Sequence, residues 1–114
     1  MEEWQQAIKS CWNNECALTG IRIKELVVAN HIVHNFEDRK QAQEMNGITL
    51  APHISVLFDH GLISFEDDGR LLVSPRLSEE DFRRLSLPGK LRRPPTGHEM
   101  ALLRQHRESV FFRT

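Results

Sequence analysis

The sequence predicts an α+β domain: a strand–strand–helix unit flanked by helices and completed by a second hairpin. Three features carry this expectation. The run Glu25-Leu26-Val27-Val28-Ala29-Asn30-His31-Ile32-Val33 is β-branched and apolar, which reads as a buried strand. Ile48-Thr49-Leu50 makes a short second strand, and Pro52 opens a helix on which Ile54, Leu57 and Phe58 form one apolar stripe. Leu62-Ile63-Ser64-Phe65 and Arg70-Leu71-Leu72-Val73 flank Asp67-Asp68-Gly69, a hairpin with Asp-Gly at its turn.

The other elements follow in chain order. Trp4, Ile8, Cys11 and Trp12 recur at helical spacing, so residues 2–13 read as an amphipathic helix ended by Asn13-Asn14. Residues 34–46 are polar and without period, a long loop with a helical turn over 38–43. Gly61 stops the helix begun at Pro52. Ser78-Glu79-Glu80-Asp81 is a capping-box pattern for a short helix reaching about Leu85. Leu87-Pro88-Gly89 and Arg92-Arg93-Pro94-Pro95 are loops, and residues 97–109 form a last helix with Met100, Leu103 and His106 on one side, followed by Val110-Phe111-Phe112. The unit over residues 25–60 is too small to bury a core alone. The flanking helices and second hairpin must complete it, so the 114 residues read as one domain.

Composition is that of an ordinary globular chain, 39% hydrophobic and 27% charged. No apolar run approaches the roughly 18–20 residues of a membrane span, and no signal peptide opens the sequence, which points to the cytoplasm. The net charge of −1 hides an asymmetry: residues 1–68 hold five Lys/Arg against eleven Asp/Glu, and residues 69–114 hold ten against five. That split suits a cation site beside a phosphate-facing surface, and equally two solvated faces. Cys11 and Cys16 are too few for a disulfide framework. With His31 and His34 they could form a zinc site, but a buried free cysteine is the better reading of Cys16, and structural zinc is not expected.

Four pieces occur in one order: Cys16-Ala17-Leu18-Thr19-Gly20, Ala29-Asn30-His31-Ile32, Asn46-Gly47-Ile48-Thr49-Leu50-Ala51-Pro52, and Leu57-Phe58-Asp59-His60-Gly61-Leu62-Ile63-Ser64-Phe65. Together they resemble the bacterial HNH endonuclease domain, in the branch found at the C-terminus of restriction-type nucleases. Arg76-Leu77-Ser78, the Arg- and Pro-rich stretch and the helix through Leu103–Phe111 extend the resemblance over nearly the whole chain. It implies a ββα-metal fold, a DNA substrate with RNA as an alternative, and a divalent cation, Mg²⁺ or else Mn²⁺ or Ni²⁺. His31 then falls where the family has its general base. Asn46, fifteen residues later, falls where an asparagine braces the loop between the strands. Outside the motif, His31 reads as a buried strand histidine and Asn46-Gly47 as a plain turn.

The ligand positions depart from the family. Asn30 stands where Asp, His or Ser is common, and Ser55 where the helix carries His, Asn or Asp. Both offer only neutral oxygen, whereas hard cations favour carboxylates. Asp59, one turn beyond Ser55 on the same face, is a compensating ligand or else a brace of the fold. His53, His34 and Asp38 are further candidates, His60 replaces a common arginine, and His106 belongs either to the site or to helix packing. Arg76, Arg83, Arg84, Lys90, Arg92 and Arg93 form the dense basic run, a phosphate-contacting surface or a solvated loop. Nothing reads bases, so sequence choice would come from another domain or subunit, with a homo-oligomer as the other arrangement. Two functions remain open: a metal-dependent DNA endonuclease, and a catalytically degenerate HNH-derived module that binds nucleic acid or protein.

Overall fold

The computed structural model describes residues 2–33 and 46–114. The helical turn expected over 38–43, with His34 and Asp38, lies outside them. Helix α1 (Glu2–Cys11) turns Ile8 inward, and Trp12 follows it into the core; they are 1% and 2% exposed. Cys11 faces solvent. The helix stops two residues short of the expected end because Asn13 and Asn14 adopt φ of +61° and +54°, a left-handed conformation that asparagine tolerates better than most residues.

The Cys-Ala-Leu-Thr-Gly segment forms a tight loop. The Cys16 N–H donates to the Ile21 carbonyl and the Gly20 N–H to the Cys16 carbonyl, both at 2.9 Å. Fully buried, the Cys16 Sγ accepts from the N–H groups of Thr19 at 3.4 Å and Ala51 at 3.3 Å. The Ala17 N–H donates to Thr49 O at 2.8 Å, so the loop is fastened along the second strand.

A 3₁₀ turn, Lys24–Leu26, precedes β1 (Val28–Asn30), which pairs antiparallel with β2 (Ile48–Leu50) in the register Val28↔Leu50, Ala29↔Thr49, Asn30↔Ile48. The strand expected over 25–33 is therefore shorter. Its partner offers three residues, and Pro52 then starts a helix instead of prolonging the ladder. Helix α2 (Pro52–Asp59) buries Ile54 and Phe58, and Gly61 past its end takes φ +74°. Strands β3 (Ile63–Phe65) and β4 (Leu71–Val73) pair as the expected hairpin, with Gly69 at φ +93°.

Helix α3 (Glu79–Leu85) is capped as expected, the Asp81 N–H donating to the Ser78 hydroxyl. Helix α4 (Gly97–Ser109) carries a full capping box: Thr96 accepts from the Glu99 N–H, and the Glu99 carboxylate accepts from the Thr96 N–H. Its buried side comprises Glu99, Leu102, Leu103, His106 and Arg107. Met100 is only half-buried, so the inward stripe is rotated from the one expected. The buried cluster joins Ile8 and Trp12 of the N-terminal region to Ile48, Leu50, Ile54 and Phe58 of the ββα unit, Phe65 of the second hairpin, and Leu102 and Leu103 of α4. Among the described residues no helix is long and apolar enough to cross a membrane.

Candidate active site

Three constraints converge where β1 ends. The first is Asn46, which is fully buried. Its Oδ1 accepts from the N–H groups of Ile32 at 3.1 Å and Val33 at 3.0 Å, and its Nδ2 donates to the Val33 carbonyl at 2.9 Å. Asparagine suits this because one amide both accepts and donates. The chain directly after His31 is thereby held by side-chain bonds where the β ladder has ceased. Gly47 beside it is not in a left-handed turn. Its importance is space, since a Cβ there would sit 2.7 Å from Ile8 of α1. The Trp12 indole N–H donates to the Gly47 carbonyl at 3.1 Å, fastening the same loop from the helix side.

The second constraint acts on His31. Its imidazole stacks on Trp4 of α1, with centroids 4.0 Å apart and planes 14° from parallel. A face-on stack limits rotation about χ2 without using the ring nitrogens, whose lone pair and N–H lie in the ring plane. The third acts on Asn30, whose side chain is directed to α2: its Nδ2 donates to Asp59 Oδ1 at 2.9 Å. Asn30 and His31 thus serve opposite helices, as alternate residues of an extended chain do.

A carboxylate only accepts, so the Asn30 amide nitrogen faces Asp59 and its carbonyl oxygen points elsewhere. Ser55, half-buried, lies one turn before Asp59 on α2. The sequence candidates that lie near one another here thus comprise one carboxylate, one amide carbonyl and, on the same helix face as the carboxylate, one hydroxyl. Among the described residues no three His, Cys, Asp or Glu side chains converge as a metal site. The set fits a hard cation that keeps several waters and takes further oxygen from a substrate phosphate. It does not resemble a closed nitrogen–sulfur site.

Other sequence candidates take different places. His53 is exposed on the first turn of α2. The exposed His60 donates Nδ1–H to the Val56 carbonyl at 3.0 Å. His106 is 1% exposed and stacks on Phe58 at 3.7 Å. Its Nε2 donates to the Phe58 carbonyl at 2.8 Å, and in the neutral ring Nδ1 accepts from Ser64 at 2.8 Å. It pins the end of α2 to the second hairpin.

Much of the basic run is engaged internally. Arg93 makes a bidentate pair with Glu99, both arms at 2.8 Å, and lies 3.5 Å over the Trp12 ring. Arg92 pairs with Glu15 at 3.0 Å, Arg84 with Glu80 and Asp81, and Arg76 covers Phe112 at 3.7 Å. Arg83 and Lys90 are exposed and make no ion pair among the described residues. On α4, Arg107 and Arg104 hold Asp67. The Arg107 hydrogen bond, helped by Arg104, keeps the Asp67 carboxyl below the usual carboxylate range.

Trp4, Trp12 and Glu15 did not stand out in the sequence as site residues. The two tryptophans carried only the signal of an inward helix face, and buried Glu15 meets Arg22 nearby and Arg92 from distant sequence.

Residues 16–66 match the family model described as HNH endonuclease. Among solved structures, one described as a modification-dependent TagI restriction endonuclease superposes with a TM-score of 0.59 at 22% identity, covering 95% of this chain. The chain spans 37% of the length of that protein. A search of curated proteins returned no match.

Proposed function

We propose that residues 16–66, which match the HNH endonuclease family model, work as such a domain, and that the chain hydrolyses phosphodiester bonds of DNA with His31 as general base. The observation that carries the proposal is the Asn46 brace, three buried side-chain hydrogen bonds to the backbone immediately after His31. A general base must be kept within hydrogen-bond reach of its water, and an imidazole titrates in the useful pH range. As the water oxygen bonds to phosphorus, His31 takes its proton and the opposite P–O bond breaks. One new end keeps the phosphate, and the leaving oxygen takes a proton from solvent water to become a hydroxyl. Asn30, Ser55 and Asp59 would hold a divalent cation, which supplies positive charge to the leaving oxygen when bound. Arg83 and Lys90 are the members of the basic run left to contact backbone phosphate. A separate targeting domain or subunit, or a second copy, would supply sequence choice.

The test is plasmid nicking in Mg²⁺, Mn²⁺, Ni²⁺ or EDTA by the parent and His31→Ala, with thermal melts of both. His31→Ala should retain its fold and lose roughly 10²–10⁴-fold or more of the metal-dependent rate. A rate within a few-fold of the parent would remove His31 from the reaction. The neutral oxygens of Asn30 and Ser55 favour a second reading, a non-cleaving nucleic-acid-binding module. Duplex binding without nicking in any of the three metals would select it.

A further inference from the structure

The α1 side of the first hairpin carries a second feature besides His31. A cavity of about 120 Å³ lies between Lys9 near the end of α1, Asn14 in the turn after it, and Arg22, Lys24 and Val27 on the approach to β1. Three of its five lining residues are cationic. The first 68 residues hold only five Lys/Arg against eleven Asp/Glu, so most of the positive charge of that acidic half gathers at one place. Lys9 and Lys24 make no ion pair among the described residues. Arg22, its side chain 68% exposed, pairs with Glu15 Oε2 at 3.5 Å, while Arg92 takes Oε1 at 3.0 Å, so one carboxylate is shared between two guanidinium groups. Among the described residues the charge around the cavity is therefore only partly compensated, and an anion entering it would be drawn in.

Its position is informative. Trp4 of α1 lies on His31, while Lys9 of the same helix and Val27 line the cavity. The helix thus runs beside the strand in the opposite sense, with the cavity at one end and His31 at the other. Four residues of extended chain from Val27 to His31 span roughly 13 Å.

We propose that the Lys9–Arg22–Lys24 cavity is a binding site for a backbone phosphate of a polynucleotide, separate from the phosphate that faces His31. This rests on the endonuclease reading for the identity of the polymer. Two ammonium groups, a guanidinium fork and the Asn14 amide are all donors to phosphate oxygen. The site adds a contact point separate from the 76–93 run, much of which is occupied by internal ion pairs.

The experiment compares the parent, Lys9→Ala/Lys24→Ala, and the single charge reversal Lys24→Glu, all in EDTA so that nothing is cut. Lys24 is exposed, so the single variant keeps the test valid should the double variant fold poorly. Duplex binding is followed by fluorescence anisotropy across a salt series. Backbone amide shifts of Asn14 and Lys24 are followed on titration with the duplex and, separately, with inorganic phosphate. Weaker duplex binding by both variants is expected, with a salt slope flattened by roughly 0.9 in the double variant, the figure for one phosphate no longer neutralised. Unchanged affinity and slope in both variants would overturn the site while leaving the endonuclease reading intact. Saturable shifts with inorganic phosphate but none with the duplex would overturn the polynucleotide assignment in favour of a small phosphorylated ligand. A parent that nicks DNA nowhere, yet binds it through these residues, would support the site and reject the catalytic reading alone.

Discussion

Replacing Asn46 by alanine is the sharpest test of how the site is held. The change removes two acceptor bonds and one donor bond, all at 2.9–3.1 Å. It leaves the N–H groups of Ile32 and Val33 and the Val33 carbonyl without their partner in a fully buried place. A net hydrogen bond contributes about 1 kcal/mol, and an orphaned buried group costs about 1–3 kcal/mol. Three such groups give about 3–9 kcal/mol, with the lower end applying if water enters the space vacated by the amide. A chain of this size commonly has about 5–15 kcal/mol in total, so Asn46→Ala should sit near the edge of folding. At roughly 4–8 °C per kcal/mol for a small domain, a drop of about 12 °C or more in Tm is expected. Asn46→Asp keeps both acceptor bonds but sets a buried carboxylate oxygen against the Val33 carbonyl, so it too should lose stability at neutral pH and recover part of it in acid, where the protonated group can donate there. Urea denaturation and calorimetry measure both. A loss below about 1 kcal/mol for Asn46→Ala would mean that the three bonds do not hold the chain after His31.

Three further outcomes follow from other residues. Ser55→Asp adds a carboxylate one turn before Asp59, so divalent-cation affinity by calorimetry should rise, and nicking by the parent should be better in Mn²⁺ or Ni²⁺ than in Mg²⁺; unchanged cation binding would mean that Ser55 does not face the cation. Trp4→Ala should lower the single-turnover nicking rate while leaving duplex affinity alone, and Trp4→Phe, which keeps a ring over His31, should recover most of it. Equal rates for the two variants would show the stack to be irrelevant to the base. Asp67 has a folded pKa held below its unfolded one, chiefly by Arg107. Its contribution is therefore present above the unfolded value, near pH 4, and is lost as the pH falls through the depressed one. The stability gap between the parent and Asp67→Asn should accordingly narrow in acid, as urea midpoints from pH 7 to pH 2 would register.

The parts of the fold that are legible in the sequence are those encoded by neighbours along the chain. Pro52 and Gly61 bracket α2 as their backbone preferences require, Gly69 turns the second hairpin, and Ser78 caps α3. The Thr96–Glu99 capping box is equally local, and its spacing alone could have marked the start of α4. The first strand is shorter than its composition suggests, because composition cannot say how many residues the partner offers, and Ile48–Leu50 offers three. Asn46-Gly47 looks like a turn until the approach of Ile8 shows that the glycine provides room instead. Charge partners are not legible at all. Arg92 and Glu15 are separated by 77 positions, and nothing local tells that they meet. An arginine committed to a buried carboxylate is indistinguishable, in sequence, from one waiting for phosphate.

Glu99 occupies an unusual junction. One carboxylate caps α4 at Thr96 and grips Arg93 with both oxygens. That arginine covers the Trp12 ring, whose N–H reaches the carbonyl beside Asn46. These interactions share a single side chain at their root, so they cannot fail one at a time. Position 99 should therefore vary in evolution only together with position 93. A substitution confined to the last helix would otherwise surface as a defect in the loop of the ββα unit, well away in sequence from the residue that changed.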